Sequence, residues 1–171
     1  MIFKFFITFS LILYSSASFS EKIIVGKAKI IDGDTIHLGK NTIRLHGIDA
    51  PETNQTCTVN ETVWYCGVES TKVLQNFISK NEVICEIIDV DQYNRFIGVC
   101  FVNDKNINQY MVRNGWAIAY RYYSLDYISD EAIAKNSRLG IWKGSFQEPY
   151  LFRKNQKKRR YYSCFKCVCT F

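Results

Sequence analysis

Two short acidic clusters concentrate the potential chemistry of this chain: Asp32-Gly33-Asp34-Thr35 and Asp49-Ala50-Pro51-Glu52. Carboxylates gathered with exposed backbone carbonyls make a hard-oxygen site, which suits Ca²⁺ better than Zn²⁺. The spacing is not that of an EF-hand. With Asp32 as the first loop position, His37 falls where the glycine is required and Ile43 where the glutamate is required. Two arginines accompany the acids, Arg44 ahead of the second cluster and Arg95 closing the run Asp91-Gln92-Tyr93-Asn94-Arg95. A guanidinium meets phosphate oxygens with a planar fork and stays charged at any working pH. A hard cation, a carboxylate able to take a proton and two arginines form a minimal kit for phosphodiester hydrolysis. Singly, each residue is ordinary: Asp-Gly is a common turn, and Arg near Asp is usually a surface pair. The combination is what points to chemistry.

The elements that must position these residues follow from hydrophobic periodicity. Ile23 to Ile31, with Ile23, Val25, Ala28 and Ile30 as its apolar positions, reads as a strand; Thr35–Leu38 and Thr42–His46 read as two more, separated by the turns Asp32-Gly33-Asp34 and Gly39-Lys40-Asn41. Antiparallel pairing of such a meander can bring both acidic clusters to one rim. Asp49 to Tyr65 has no sustained period and reads as a long loop. Helical spacing of Val73, Leu74, Phe77 and Ile78 predicts a helix within Gly67–Lys80. Two β-branched runs, Glu82–Val90 and Arg95–Val102, flank a turn and predict a hairpin. A short helix around Ile107, Tyr110 and Met111 stops at Asn114-Gly115, and a third, carrying Leu125, Ile128, Ala132 and Leu139, ends at Gly140. Five strands with a helix between the third and fourth is the element order of an oligonucleotide/oligosaccharide-binding (OB) barrel, an α+β arrangement with three helices.

Four segments in order, Ile31-Asp-Gly-Asp-Thr35, Arg44-Leu-His-Gly-Ile-Asp-Ala-Pro-Glu52, Asp91-Gln-Tyr-Asn-Arg95 and Leu139-Gly-Ile-Trp142, resemble the staphylococcal-nuclease-like (thermonuclease) family over about Lys27 to Trp142. That resemblance implies an OB-type barrel with three helices and Ca²⁺-dependent cleavage of DNA and RNA. It implies Asp34 and Asp49 as direct calcium ligands with the Ala50 carbonyl as a third, and Asp32 supporting the site through water or a hydrogen bond. Ala50 stands where the family often has Thr, a change without effect on a backbone ligand. Glu52 resembles the general base that orients and deprotonates the attacking water, and Arg44 and Arg95 match the two phosphate-binding arginines. By the same analogy the 5′-oxygen leaves and the products carry 3′-phosphates. Tyr93, Tyr120 and Tyr122 resemble the tyrosines of the nucleotide pocket; stacking on a base and packing in the core suit Tyr93 equally. Gln92 stands where the prototype has a lysine, which removes one phosphate contact.

Composition bounds the remaining alternatives. The chain has 171 residues, a net charge of +6 and 47% hydrophobic residues, enough for one domain with a buried core and incompatible with wholesale disorder. The charge is unevenly held: residues 21–152 carry 14 Lys and Arg against all 16 acids, whereas residues 153–171 carry seven cations and no acid. Residues 1–20 combine Lys4, the apolar run Phe5–Tyr14 and the small residues Ser15–Ser20, the form of a secretory signal cleaved after Ser20 or Ala17. The run is half the length of a membrane span. We therefore expect a signal at 1–20, a catalytic domain at 21–152, a basic and mobile tail at 153–171, and a secreted or periplasmic protein. Export accommodates the seven cysteines. Cys57 and Cys66 bracket a loop, Cys85 and Cys100 sit on the two arms of one hairpin, and these are the preferred disulfide pairs. Cys164, Cys167 and Cys169 offer three ligands where a structural zinc site needs four, which favours a local disulfide plus one thiol available for a disulfide-linked dimer of an otherwise monomeric protein. His37 and His46 lie on predicted strands as structural imidazoles. Two other function classes compete: an OB-fold module that binds nucleic acid without cutting it, and a disulfide-bonded adhesion or envelope protein. Neither accounts for Asp34, Asp49, Glu52, Arg44 and Arg95 occurring together.

Overall fold

A computed structural model describes residues 22–168, with side chains to residue 159 and that of Tyr161. The proposed signal at 1–20 lies outside the described residues, as do Cys169 and the side chains of Cys164 and Cys167. In chain order the elements are β1 (Lys22–Ile30), β2 (Thr35–Leu38), β3 (Asn41–Leu45), β4 (Ile48–Asp49), β5 (Cys57–Val59), β6 (Thr62–Trp64), α1 (Cys66–Ile78), β7 (Glu82–Val90), β8 (Phe96–Val102), β9 (Lys105–Asn106), α2 (Ile107–Arg113), β10 (Ile118–Ala119), α3 (Ile128–Asn136), a 3₁₀ turn (Gly140–Lys143) and α4 (Pro149–Val168).

The sheet runs β3-β2-β1-β7-β8-β9 and closes on itself through a parallel pairing of β3 with β8. Strands β1, β2, β3, β7 and β8 thus form the expected five-stranded barrel. Gly98 on β8 faces a close approach of β7, where an added Cβ would lie 2.8 Å from the Glu86 carbonyl oxygen. The seam is stitched by Asn108, fully buried on α2: its Nδ2 donates to the carbonyls of His46 (2.9 Å) and Gly98 (3.2 Å), and its Oδ1 accepts from the Cys100 amide (3.1 Å). Inside lie Ile36, Leu38, Ile43 and Leu45 from β2 and β3, Val83 and Val102 from β7 and β8, and Leu74, Ile78, Ile107 and Met111 from α1 and α2.

Four departures from the expected fold have local causes. On β1 the inner face is Ile24, Ala28 and Ile30, while Ile23 and Val25 point outward and are more than half exposed. The stretch read as one long loop begins on the last residue of β4 and contains the hairpin β5–β6; with two or three residues per strand, no period could emerge. Helix α3 begins at Ile128, later than Leu125, and the Gly140 segment continues as a 3₁₀ turn. Residues 153–168 of the basic tail are helical. They form the larger part of a fourth helix, α4, which starts at Pro149 and runs through residue 153 without interruption, so the described residues hold four α-helices where three were expected. Proline is well suited to a first helical position, where its missing N–H has no partner to lose.

Both preferred disulfides are present: Cys57–Cys66 joins β5 to the start of α1, and Cys85–Cys100 links directly paired residues of β7 and β8. Beneath β10 lies Glu131 of α3, 1% exposed, which accepts hydrogen bonds from the Ala119 amide (3.1 Å), Lys135 Nζ (2.8 Å) and Arg121. Burial alone would raise its pKa, but the bonds from Arg121 and Lys135 outweigh burial and hold it below the usual 4.5. A carboxyl lowered in this way stabilises the fold above its unfolded pKa, and the contribution disappears as pH falls through the folded value. The melting temperature gap between wild type and Glu131→Gln should therefore be widest near neutral pH and narrow as pH falls below the unfolded carboxyl's value of about 4.3. A gap of constant size down to pH 3 would show that the ionised form is not what holds β10.

Candidate functional site

The site is built around one guanidinium placed between two buried carboxylates. The β2–β3 register sets Thr35 opposite Arg44, which brings Arg44 beside Asp34. Because Ile43 and Leu45 take the inner face of β3, Arg44 between them projects from the other. Its Nη1 meets Asp34 Oδ1 at 2.8 Å and its Nη2 meets Asp49 Oδ1 at 2.8 Å. Asp34 Oδ1 also accepts from the Thr35 hydroxyl (3.0 Å), and Asp34 Oδ2 accepts from the Ala50 amide (3.0 Å). Asp32 Oδ1 accepts from the Asp34 amide (3.0 Å) and closes the turn. Asp49 is fixed by the pairing of β4 with β10, where it opposes Ile118. Gly33 allows this arrangement, since a Cβ there would sit 2.2 Å from Ser70 Oγ on α1 and 2.7 Å from the Ala50 Cβ.

The electrostatics of this group are strained toward neutrality. Burial and the neighbouring Asp34 push Asp32 up to about 7. Burial and Asp34 likewise push Asp49 up to about 6, against the opposing pull of Arg153 and Arg44. For Arg44 burial works against the charge, but Asp34 and Asp49 more than offset it and raise its pKa. Asp49 Oδ2 is buried without a hydrogen-bond partner, and an acceptor so placed is the kind of atom a cation would satisfy. Among the described residues no three His, Cys, Asp or Glu side chains converge into a ready cage. A cation here would have to take the Asp34 and Asp49 carboxylates together with backbone carbonyl or water oxygens. That mixed, all-oxygen donor set fits Ca²⁺.

Glu52 lines a cleft of about 980 Å³ and is held through its backbone. Gln55, fully buried, binds it twice: the Gln55 amide donates to the Glu52 carbonyl (2.7 Å), and Gln55 Oε1 accepts from the Glu52 amide (3.3 Å). The same side chain donates through Nε2 to the Gln147 carbonyl (2.6 Å), just before α4. On the other side the first turn of α1 is pressed against Glu52, so that a Cβ on Gly67 would fall 1.7 Å from the Glu52 carbonyl oxygen. The Glu52 carboxylate itself is engaged by Arg153 of α4, Nη1 to Oε1 at 2.8 Å, while Arg153 Nη2 reaches Asp49 Oδ1 at 2.9 Å.

Of the residues expected at the site, Asp32, Arg44, Glu52, Tyr93, Arg95 and Tyr120 line the cleft together. Asp34 and Asp49 are buried and meet it through Arg44, with Ala50 buried beside them. Arg95 is oriented by its own turn, Nε and Nη2 both reaching Asp91 Oδ2 (2.8 and 2.7 Å). Burial opposes the ionised Asp91, but hydrogen bonds from Arg95 and Tyr93 hold its pKa below the usual carboxylate value. Tyr93 is 65% exposed, which leaves its ring available to a ligand and removes it from the core. Tyr122 does not line the cleft; it is 83% exposed and stands 6.5 Å, ring to ring, from Tyr120. Sequence reasoning missed Gln55, Arg153 and the other α4 residues that line the cleft, Tyr150 and Lys157. Nothing in the sequence marks Gln55. For α4 there was a signal: Pro149 followed by Tyr150, Arg153 and Lys157 at helical spacing.

Gly67→Ala should lower stability by about 1–3 kcal/mol in urea unfolding, because the added methyl meets backbone and not a movable side chain. Gly26→Ala, where nothing lies within 4 Å of the added Cβ, should change it by no more than about 0.5 kcal/mol. Equal effects would refute the close packing of α1 on the Glu52 segment.

A family model described as "Staphylococcal nuclease homologue" matches residues 42–144. The chain is 36% identical over 138 residues to the succinoglycan biosynthesis protein ExoI of Rhizobium meliloti, covering 78% of this chain and 72% of that protein. It is 32% identical over 164 residues to an uncharacterized endonuclease of Haemophilus influenzae, covering 90% and 87% of the two chains. It is 33% identical over 147 residues to a micrococcal nuclease of Shigella flexneri, covering 75% and 79%.

Proposed function

The chain belongs to the staphylococcal nuclease family, and from that premise we propose that it is a Ca²⁺-dependent nuclease that hydrolyses phosphodiester bonds of DNA and RNA outside the cytosol. The observation that carries this reading is the buried Asp34–Arg44–Asp49 group opening onto a cleft that Glu52 and Arg95 also line. Asp34, Asp49 and the Ala50 carbonyl would hold the cation, with Asp32 supporting them through water. Bound there, Ca²⁺ supplies positive charge to a phosphate oxygen as negative charge builds during attack.

The protein's own groups do the rest. Arg44 and Arg95 bind the equatorial phosphate oxygens and stabilise the charge that develops on them. Both forks are held in place by carboxylates (Arg44 by Asp34 and Asp49, Arg95 by Asp91), so little reorganisation is needed when substrate arrives. Glu52 orients the attacking water and accepts its proton. Departure of the 5′-oxygen leaves a 3′-phosphate. Tyr93 and Tyr120 offer aromatic faces to flanking bases, a sequence-tolerant form of recognition; Tyr122, exposed beyond Tyr120, extends this platform. Two disulfides and the leader-like residues 1–20 support export, with the active domain beginning near residue 21. No helix among the described residues is long and apolar enough to cross a membrane.

The purified protein should degrade both plasmid DNA and RNA in Ca²⁺ and neither in EGTA. Glu52→Gln should abolish most of this activity, and Arg44→Gln or Arg95→Gln should each lower kcat by about 10²–10³. Mass spectrometry of the fragments should find 3′-phosphate ends. Intact polymers in Ca²⁺, or a Glu52→Gln variant that cuts at the wild-type rate, would overturn the reading. Retarded migration of DNA without cleavage would favour a binding module in its place.

A further inference from the structure

We propose that α4 forms a phosphate-binding wall of the cleft, with Arg153 as a third guanidinium at the reacting phosphate and Lys157 meeting the next phosphate of the strand. The inference rests on the nuclease reading above, and it concerns residues beyond the segment, 42–144, that the family model matches. Its first support is convergence. Arg44 Nη2 and Arg153 Nη2 approach the same atom, Asp49 Oδ1, at 2.8 and 2.9 Å, so two guanidinium groups from opposite ends of the chain meet at one oxygen. Like charges brought this close repel, and an anion shared between them is the arrangement that relieves the repulsion. Asp49 supplies one such anion, and a phosphate entering the cleft supplies another.

The second support is direction. Arg153 and Lys157 both line the cleft and are one helical turn apart, with Tyr150 one turn earlier on the same face. Four residues of helix rise about 6 Å, a distance of the order of one nucleotide step. The Tyr93–Arg95 turn lines the cleft as well, so a single strand passing through it would have cations from both elements within reach.

The third support is charge balance. Asp34, Asp49 and Glu52 are met by Arg44 and Arg153 at 2.8–2.9 Å, and Asp32 adds a fourth carboxylate beside Asp34. Arg153 therefore competes with a cation for Asp49, and a bound cation leaves its fork to the substrate.

The test compares Arg153→Gln with Lys154→Gln, an equal charge change at an exposed position that does not line the cleft. Initial rates on a single-stranded oligodeoxynucleotide are measured at saturating Ca²⁺ across a salt series. Equilibrium binding of the phosphorothioate form of that oligonucleotide is followed by fluorescence anisotropy, and Ca²⁺ affinity without nucleic acid by calorimetry. For Arg153→Gln we expect KM and the anisotropy Kd to rise about tenfold, and the slope of log K against log salt to flatten by about 0.7, the value for one lost single-strand contact. Ca²⁺ should bind several-fold more tightly. Lys154→Gln should stay within twofold of wild type on all three. Arg153→Lys should restore the salt slope, as a point charge does, while recovering only part of the affinity.

If Arg153→Gln tightens Ca²⁺ binding but matches Lys154→Gln in KM, Kd and salt slope, Arg153 merely neutralises Asp49 and Glu52 and the proposal is wrong. Wild-type cleavage in Ca²⁺ with that result would leave the nuclease reading intact. Absence of wild-type cleavage would instead remove the premise and the proposal with it.

Discussion

Two carboxylates that cannot afford to be buried alone organise this protein. Asp34 and Asp49 are almost completely removed from water, and an unpaired carboxylate in that environment would be strongly destabilising. Arg44 answers both, one nitrogen to each. Meeting that requirement dictates much of the surrounding fold. The β2–β3 register must place Arg44 opposite Thr35, β4 must be held by β10, and Gly33 must lack a side chain so that the acidic turn can settle on α1. Burial of this kind contributes little net stability. What it provides is a single geometry and an excess of negative charge, with one acceptor of Asp49 left unsatisfied. That unsatisfied oxygen is what the proposed cation would meet.

The part of this organisation written in contiguous sequence was legible. Both acidic clusters and Arg44 lie on a short meander whose turns are marked by Asp-Gly and Gly-Lys-Asn, so their convergence at one rim followed from antiparallel pairing. The cysteine pairs were legible for a similar reason: one brackets a local loop, and the other sits on two arms of one hairpin. Arg95 lines the cleft, and the short turn that carries it also holds it, through Asp91.

What remained hidden depends on long separations or on features too short to have a period. Arg153 and Glu52 are 101 residues apart, and Gln55 and the Gln147 carbonyl 92 apart. No local pattern predicts such a contact. Gln55 is also inconspicuous in kind, a polar residue in a stretch without period, yet it is wholly buried and secures both the Glu52 segment and the approach to α4. The short strands β4, β5 and β6 offered two or three residues each, below the length at which alternation can be distinguished from chance. Helix α4 was obscured by its own composition. A run of cations reads as a solvated tail, and its helical spacing shows only when Tyr150, Arg153 and Lys157 are considered together.

That last point changes the meaning of the protein's charge. Considered as a sum, the +6 belongs to the last nineteen residues and says nothing about residues 21–152, which are slightly acidic. In the folded chain the division fails, because the helix that holds those cations begins at Pro149 and returns Arg153 to Asp49 and Glu52. Carboxylates lining a cleft repel a polyanion, and Arg44, Arg95, Arg153 and Lys157 line the same cleft as Asp32 and Glu52. On the proposed reading the acids serve a cation and the arginines and Lys157 serve the strand, with Arg153 joining the two sets through Asp49 and Glu52. Gln55 couples the two sets mechanically, since the side chain that fixes Glu52 also holds the carbonyl from which α4 departs. The basic segment and the acidic site are therefore one electrostatic device, built from opposite ends of the chain.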